Sequence, residues 1–390
     1  MEKQKKIPKL RFPEFEGVWE KKTVGELGVF TGGGTPDTAI AKYWQGNIPW
    51  ISSSDIQEDT VQEYLTSRFI TEEAIKKSAT KIVPKNSVLI VSRVGIGKFA
   101  VSKSPVCTSQ DFTSLTPLVD NPYFLAYYFK EKTNLFFRFS QGTSIKGFTG
   151  TDIRNMVFKV PSLSEQQKIA SFFTAIDQKI SQLKRKKTLL EQYKKGVMQR
   201  IFSQEIRFKD DNGQEFPKWE KKRLKNIADI IKGEQLNKEL LEDQGSYPCI
   251  NGGIEPSGFT SKYNSMENTI TISEGGNSCG FINFIKTKFW CGGHCYKIII
   301  KNEMLNSKLF LFHNLKYNQI KMMKLRVGTG LPNIQKKDIS NFVLLVSISI
   351  PEQTKIANFL SAIDVKINHT QKQIEKAEVW KKGLMQQMFV

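Results

Sequence analysis

The stretch "SLSEQQKIASFFTAIDQKI" spans residues 162–180 and returns in the same frame as "SIPEQTKIANFLSAIDVKI" at 349–367. A second shared word follows each copy at the same distance, "KKGVMQRIF" at 194–202 and "KKGLMQQMF" at 381–389. No proline occurs from Ser162 to Glu215 or from Glu352 onward. Ser162-x-x-Glu165 and Ser349-x-x-Glu352 read as capping boxes, and Pro351 sits in a first turn where its missing donor does no harm. Ile169, Ile176, Leu183, Leu190 and Val197 recur every seventh residue, with Phe173, Ile180 and Ile201 as a second row. The second copy offers Ile356, Ile363 and Leu384 in that register, Thr370 and Ala377 between them, and Leu360, Ile367 and Ile374 beside them. This heptad seam predicts two helices of about 40 residues, each roughly 60 Å long. One apolar stripe on so long a helix needs a partner. The other copy supplies it, so the expectation is an antiparallel coiled coil. The alternative is a pair of ordinary core helices in one large domain.

Working outward, Trp19-Glu20-Lys21-Lys22 returns as Trp219-Glu220-Lys221-Lys222, each preceded by Phe-Pro (Phe12-Pro13 and Phe216-Pro217). "GTSIKGFTGTDIRNMVF" (142–158) returns as "GTGLPNIQKKDISNFVL" (328–344). A period of ~190 residues is too long for a solenoid. It reads as a duplicated unit, a globular part followed by a helix. The globular middles share little sequence, so the frame repeats and the filling varies. "KIVPKNSVLIVSRVG" (81–95), "NTITISEGG" (268–276) and "KFWCGGHCYKIIIK" (288–301) read as short strands, and short helices are expected at 71–78, 121–137 and 303–324. The fold class is α+β, two pseudo-symmetric globular parts with mostly antiparallel sheets.

With 390 residues the chain has room for two domains, and its net charge of +20 attracts polyanions, nucleic acid first among them. Its start, "MEKQKKIPKLRFPEF", has charge with no apolar run behind it, so no secretion signal is read. No stretch reaches the roughly 18–20 apolar residues of a membrane helix. The expectation is a cytoplasmic protein with no membrane partner and five reduced cysteines.

Several stretches imitate catalytic motifs and fail. "VGIGKF" (94–99) lacks the first glycine of a phosphate loop and has Phe99 where a hydroxyl should ligate magnesium. "DNPYF" (120–124) has one proline too few for an amino-methyltransferase loop and reads as a turn and helix start. "TGGGTP" (31–36) is either a phosphate cradle or a flexible turn. "CGGHC" (291–295) has one plausible zinc pair in Cys291-x-x-His294 but no second, so buried thiols are expected, with no metal and no catalytic residues assigned. The loops carry instead groups that read base edges and hold phosphates. The candidates are Thr35, Ser52, Ser54, Arg93, Lys98, Ser144 and Lys146 in the first half, and Lys232, Gln235, Asn251, Asn277, Arg326, Asn333 and Gln335 in the second.

Across nearly its whole length the chain resembles the DNA-specificity subunits of type I restriction-modification systems. The resemblance rests on "GGGTPDTAIAKYWQGNIPWISSSDI" (32–56), "VLIVSRVGIGKFAV" (88–101), "SIKGFTGTDI" (144–153) and "PSLSEQQKIASFFTAID" (161–177). In the second half it rests on "INGGIEPSGFT" (250–260), "SEGGNSCGFINF" (273–284), "LPNIQKKDI" (331–339) and "IPEQTKIANFLSAID" (350–364). It implies target-recognition domains at 1–160 and 206–348 and spacer helices at 161–205 and 349–390. Each domain would read one half of a split double-stranded DNA target, and the helices would set the gap. The implied partners are two copies of a methyltransferase subunit and a motor-nuclease subunit. S-adenosylmethionine, ATP and Mg would act in those partners, with no cofactor in this chain. Two other readings compete, a stand-alone DNA-binding regulator and a nuclease. The nuclease would draw on "DDNGQEFPKWEKK" (210–222), whose end recurs at 19–22 without the two aspartates.

Overall fold

A computed structural model describes residues 7–139, 147–328, 330 and 332–390. The chain forms two units, Met1–Arg185 with Gln371–Val390, and Lys186–Thr370. Two long helices, Leu163–Phe202 and Ile350–Met388, are shared so that each unit holds the first half of one and the second half of the other. The halves run antiparallel. In the first unit Phe173 stacks on Phe389, Asp177 pairs with Lys381 and Lys184 with Glu378. In the second, Lys194 pairs with Asp364 at 2.6 Å, while Ile201 and Phe202 share a core with Ile356 and Leu360.

Ile169, Ile176, Leu183, Ile356 and Ile363 are buried, as are Phe173, Ile180, Leu360 and Ile374 from the second row. Leu190, Val197 and Leu384 are half-buried. Thr370 is buried too, and its hydroxyl donates back to the Lys366 carbonyl at 2.8 Å, which satisfies it inside an apolar seam.

Both units build the same framework. Glu20–Thr23 pairs antiparallel with Val157–Val160, and Glu220–Arg223 with Val343–Val346. A four-stranded sheet follows, ordered Gly28–Gly32, Thr113–Pro117, Val88–Ile90, Phe99–Val101 in the first unit. Its counterpart is ordered Ala228–Lys232, Cys295–Ile300, Thr269–Ser273, Ile282–Ile285. A smaller sheet in each unit contains a single parallel pairing, Ile48–Ile51 with Val106–Thr108 and Tyr247–Ile250 with Trp290–Cys291. A capped helix covers each core. Asn121 Oδ1 accepts from the Tyr123 and Phe124 amides to start Pro122–Glu131, and Ser307 starts Lys308–Tyr317. "DNPYF" is thus a helix start.

The repeated words meet each other, and one reading needs correction. Glu165 and Glu352 do not close capping boxes. Glu165, 1% exposed, accepts from Arg11 at 2.8 and 2.7 Å and from the Trp19 indole at 3.3 Å. Glu352, fully buried, accepts from Arg207 at 3.0 Å, the Trp219 indole at 2.9 Å and Ser347 at 2.6 Å. A buried carboxylate is costly unless a cation and further donors satisfy it, and the Arg–Trp pair does so better than one backbone amide would. The stretch before Trp19 is placed as the stretch before Trp219 is. Leu10 N–H donates to the Gln387 carbonyl at 3.0 Å, and Ile206 N–H to the Arg200 carbonyl at 3.2 Å.

Candidate nucleic-acid interface

In each unit the loops at one end of the four-stranded sheet are tied together by main-chain hydrogen bonds. In the first, Gly33 N–H donates to Phe112 O (3.3 Å), Gly34 N–H to Thr108 O (2.8 Å), Ser109 N–H to Ile51 O (2.9 Å) and Ser92 N–H to Asp111 O (2.7 Å). The second repeats the set. Gly233 N–H donates to Cys295 O (2.8 Å), Glu234 N–H to Cys291 O (2.9 Å), Gly292 N–H to Ile250 O (2.9 Å) and Glu274 N–H to His294 O (2.9 Å). This pattern matches Ser92 with Glu274 and Asp111 with His294. Glycine is required at the crossing. A Cβ on Gly33 would lie 1.9 Å from Ser109 O, and one on Gly233 2.3 Å from Gly292 O. "TGGGTP" is therefore a tightly packed crossing rather than a flexible turn.

Around the first crossing, Thr35 is exposed and its hydroxyl donates to Gln110 Oε1. Ser52 and Ser54 share a hydrogen bond of 2.8 Å on the turn that Asp55 closes. Arg68 holds that turn, bonded to Ser52 Oγ at 2.7 Å and stacked 4.6 Å from the Trp50 ring centre. Arg93 is exposed beside Gly147. Lys98 pairs with Glu58 at 3.5 Å. Ser144 and Lys146 lie outside the described residues.

Around the second crossing, Lys232 pairs with Glu274 at 2.7 Å, Asn251 Oδ1 accepts the His294 amide at 3.1 Å, and Gln235 packs against Gly293. Gln235 and Asn251 line a cavity of about 400 Å³ with Leu236, Leu241 and Cys249. Asn333 bridges both Gly275 and Val327, which brings Arg326 and exposed Asn277 to the same loops. Gln335 is exposed at the start of Lys336–Asn341.

The sequence reading passed over Glu274 and Tyr296 here, and weighed His294 only as a zinc ligand. Glu274 is 5% exposed; its Oε1 accepts from Lys232 and from the Tyr296 hydroxyl at 2.8 Å, and its Oε2 lies 3.6 Å from His294 Nδ1. Burial first, and Glu274 next, raise the Tyr296 phenol, which keeps it a donor. The one signal in the sequence was an acidic residue inside a basic, glycine-rich loop. Cys249, Cys279, Cys291 and Cys295 are buried, and the bond that Cys295 donates to Cys291, together with burial, raises the Cys295 thiol. Among the described residues no cluster of His, Cys, Asp and Glu could hold a metal ion, and no helix is long and apolar enough to cross a membrane.

Two segments of the chain, 16–192 and 217–379, match the type I restriction modification DNA specificity domain. The chain is 30% identical to the type I restriction enzyme MjaIX specificity subunit of Methanocaldococcus jannaschii, over 91% of this chain and 89% of that one. It is 32% identical to the EcoR124I/EcoR124II specificity subunit of Escherichia coli, over 43% of each. The crystal structure of a type I restriction-modification S subunit from M. genitalium superimposes with a TM-score of 0.70 at 19% identity, covering 98% of this chain and 99% of that one, and so shares its fold. With both modules and most of the chain matched, this protein belongs to the specificity subunits of type I restriction-modification systems.

Proposed function

We propose that the chain is the non-catalytic DNA reader of a type I restriction-modification complex, each module recognising one part of a bipartite target. The observation that carries this reading is the repeated crossing. One framework, held by the same main-chain bonds, presents different side chains in its two copies. That is the arrangement a reader of two unlike half-sites requires. The net charge of +20 supports a polyanionic ligand. The fourteen loop candidates read bases and phosphates, with 1–160 and 206–348 as recognition domains and 161–205 and 349–390 as the helices between them. The complex includes two methyltransferase subunits and a motor-nuclease subunit. S-adenosylmethionine, ATP and Mg serve the chemistry of those partners.

The test is sequencing of host DNA for N6-methyladenine, with and without the gene. A split motif marked only in its presence is the expected result. An unchanged methylation pattern, with the partner methyltransferase expressed, refutes the reading. The stand-alone regulator is distinguished by tight, specific binding of the purified chain alone.

A further inference from the structure

The two crossings differ at one spot in a way the fold does not demand. In the first unit Gly32 faces Thr113 across the sheet, and the Thr113 hydroxyl donates to Ser92 Oγ at 3.1 Å. In the second, Lys232 faces Tyr296, and the Tyr296 hydroxyl donates to Glu274 Oε1 at 2.8 Å. The matched trios are therefore Gly32–Ser92–Thr113 and Lys232–Glu274–Tyr296. The same strand order and the same main-chain bonds form around both. The first trio carries no charge, so the framework closes without one. The second nonetheless buries a carboxylate, an arrangement that is costly unless paired.

What the carboxylate does is visible in its partners. Glu274 is 6% exposed at its side chain, whereas Lys232 is 53% exposed and His294 64%. Its Oε1 is taken by Lys232 and Tyr296 and its side chain is buried, so it is not itself a reader. It holds Lys232 by one of three ammonium protons, which leaves two for another partner at a half-exposed side chain. An otherwise mobile lysine is thereby held at the crossing, on the same carboxylate that His294 approaches. Fixed donors suit a base edge with two acceptors, and in the major groove that edge is the O6 and N7 of guanine.

We infer that Glu274 is a positioning residue that fixes Lys232 as the guanine-reading side chain of the second module, a role for which the first module has no counterpart. The inference rests on the DNA-reading function proposed above. It is tested by N6-methyladenine sequencing of host DNA carrying the wild-type chain, Lys232→Met, Lys232→Arg or Glu274→Gln, with the melting temperature of each purified chain measured alongside. Lys232→Met and Glu274→Gln should relax the same single guanine of one half-site, with roughly tenfold loss of discrimination there, and leave the other half-site unchanged. Lys232→Arg, which keeps fixed donors, should retain the guanine. An unaltered motif in Lys232→Met overturns the inference. So does relaxation at a position that is not guanine, or even weakening of the whole half-site by Glu274→Gln with a lowered melting temperature and no effect of Lys232→Met. A wild type that marks no split motif overturns the function itself, and this inference with it.

Discussion

Removing the carboxylate of Asp177 should destabilise the first unit more than removing the lysine that pairs with it. Asp177 and Lys381 are an ion pair with 5% and 7% side-chain exposure, and the Tyr127 hydroxyl donates to Asp177 at 2.7 Å. Lys130 lies close by. Burial first, and the neighbouring Lys381 charge next, push its ammonium down to about 8, while Asp177 opposes that shift. Asp177→Asn therefore leaves the buried Lys381 ammonium without its anion and beside the like charge of half-buried Lys130. Breaking such a pair from one side costs about 3–5 kcal/mol. Lys381→Met strands Asp177, but the tyrosine donor and Lys130 remain, so about 2 kcal/mol is expected. The double variant removes both charges and should fall within about 1–2 kcal/mol of wild type. In a unit of this size the aspartate change amounts to a fall of about 10 °C in melting temperature. Urea unfolding of the four proteins closes the cycle. A double variant as unstable as the sum of the singles, or an Asp177→Asn protein within about 0.5 kcal/mol of wild type, would refute the reasoning.

The second unit should be acid-sensitive through His313. That residue is 1% exposed, its Nδ1 has no partner, and burial followed by the Lys194 charge lowers it from 6.5 to about 3. Between those values the unfolded chain binds the extra proton and the folded one does not, so stability falls as pH drops. The loss is about 2 kcal/mol by pH 5, and His313→Leu should flatten the slope when unfolding free energy is measured from pH 7 to 5. At the first crossing, Gly33→Ala forces a Cβ into a main-chain oxygen and should lower both melting temperature and target affinity. Gly32→Ala, whose Cβ meets nothing within 4 Å, should change neither.

The long helices were legible because burial along them follows a period the eye can count, and because the copies sit in one register. The meaning of the repeated words was only half legible. Ser162 and Glu165 have the spacing of a capping box, and spacing alone cannot show that Arg11 and Trp19, far off in sequence, take the carboxylate instead. That the two globular parts are copies was legible from their repeated frame, but the strand order they share was not. It is carried by main-chain bonds such as Gly33 to Phe112 and Gly233 to Cys295, which constrain glycine at the crossing and leave most other positions free. Glu274 was passed over because an acidic residue argues against a phosphate contact when only charge is counted. Its use as a clamp for Lys232 depends on burial, which the local sequence does not encode.

The crossed pairs explain why the closing words recur. Lys381 of one helix meets Asp177 of the other, and Lys194 meets Asp364, so "KKG" finds "AID" in both units and always across helices. An apolar heptad seam by itself tolerates a slip of seven residues, because the next hydrophobic residue fills the vacated place. Such a slip moves a lysine about 10 Å along the axis, beyond reach of its aspartate, and leaves two charges unpaired, buried in the first unit and partly buried in the second. The ion pairs thus select one register from those the seam permits, even where they add little net stability. The Arg–Trp–Glu contacts do the same for the chain entering each unit. With register and entry held by these repeated words, the crossings are released from that task. One can carry Gly32, Ser92 and Thr113 and the other Lys232, Glu274 and Tyr296 without disturbing the helices beneath.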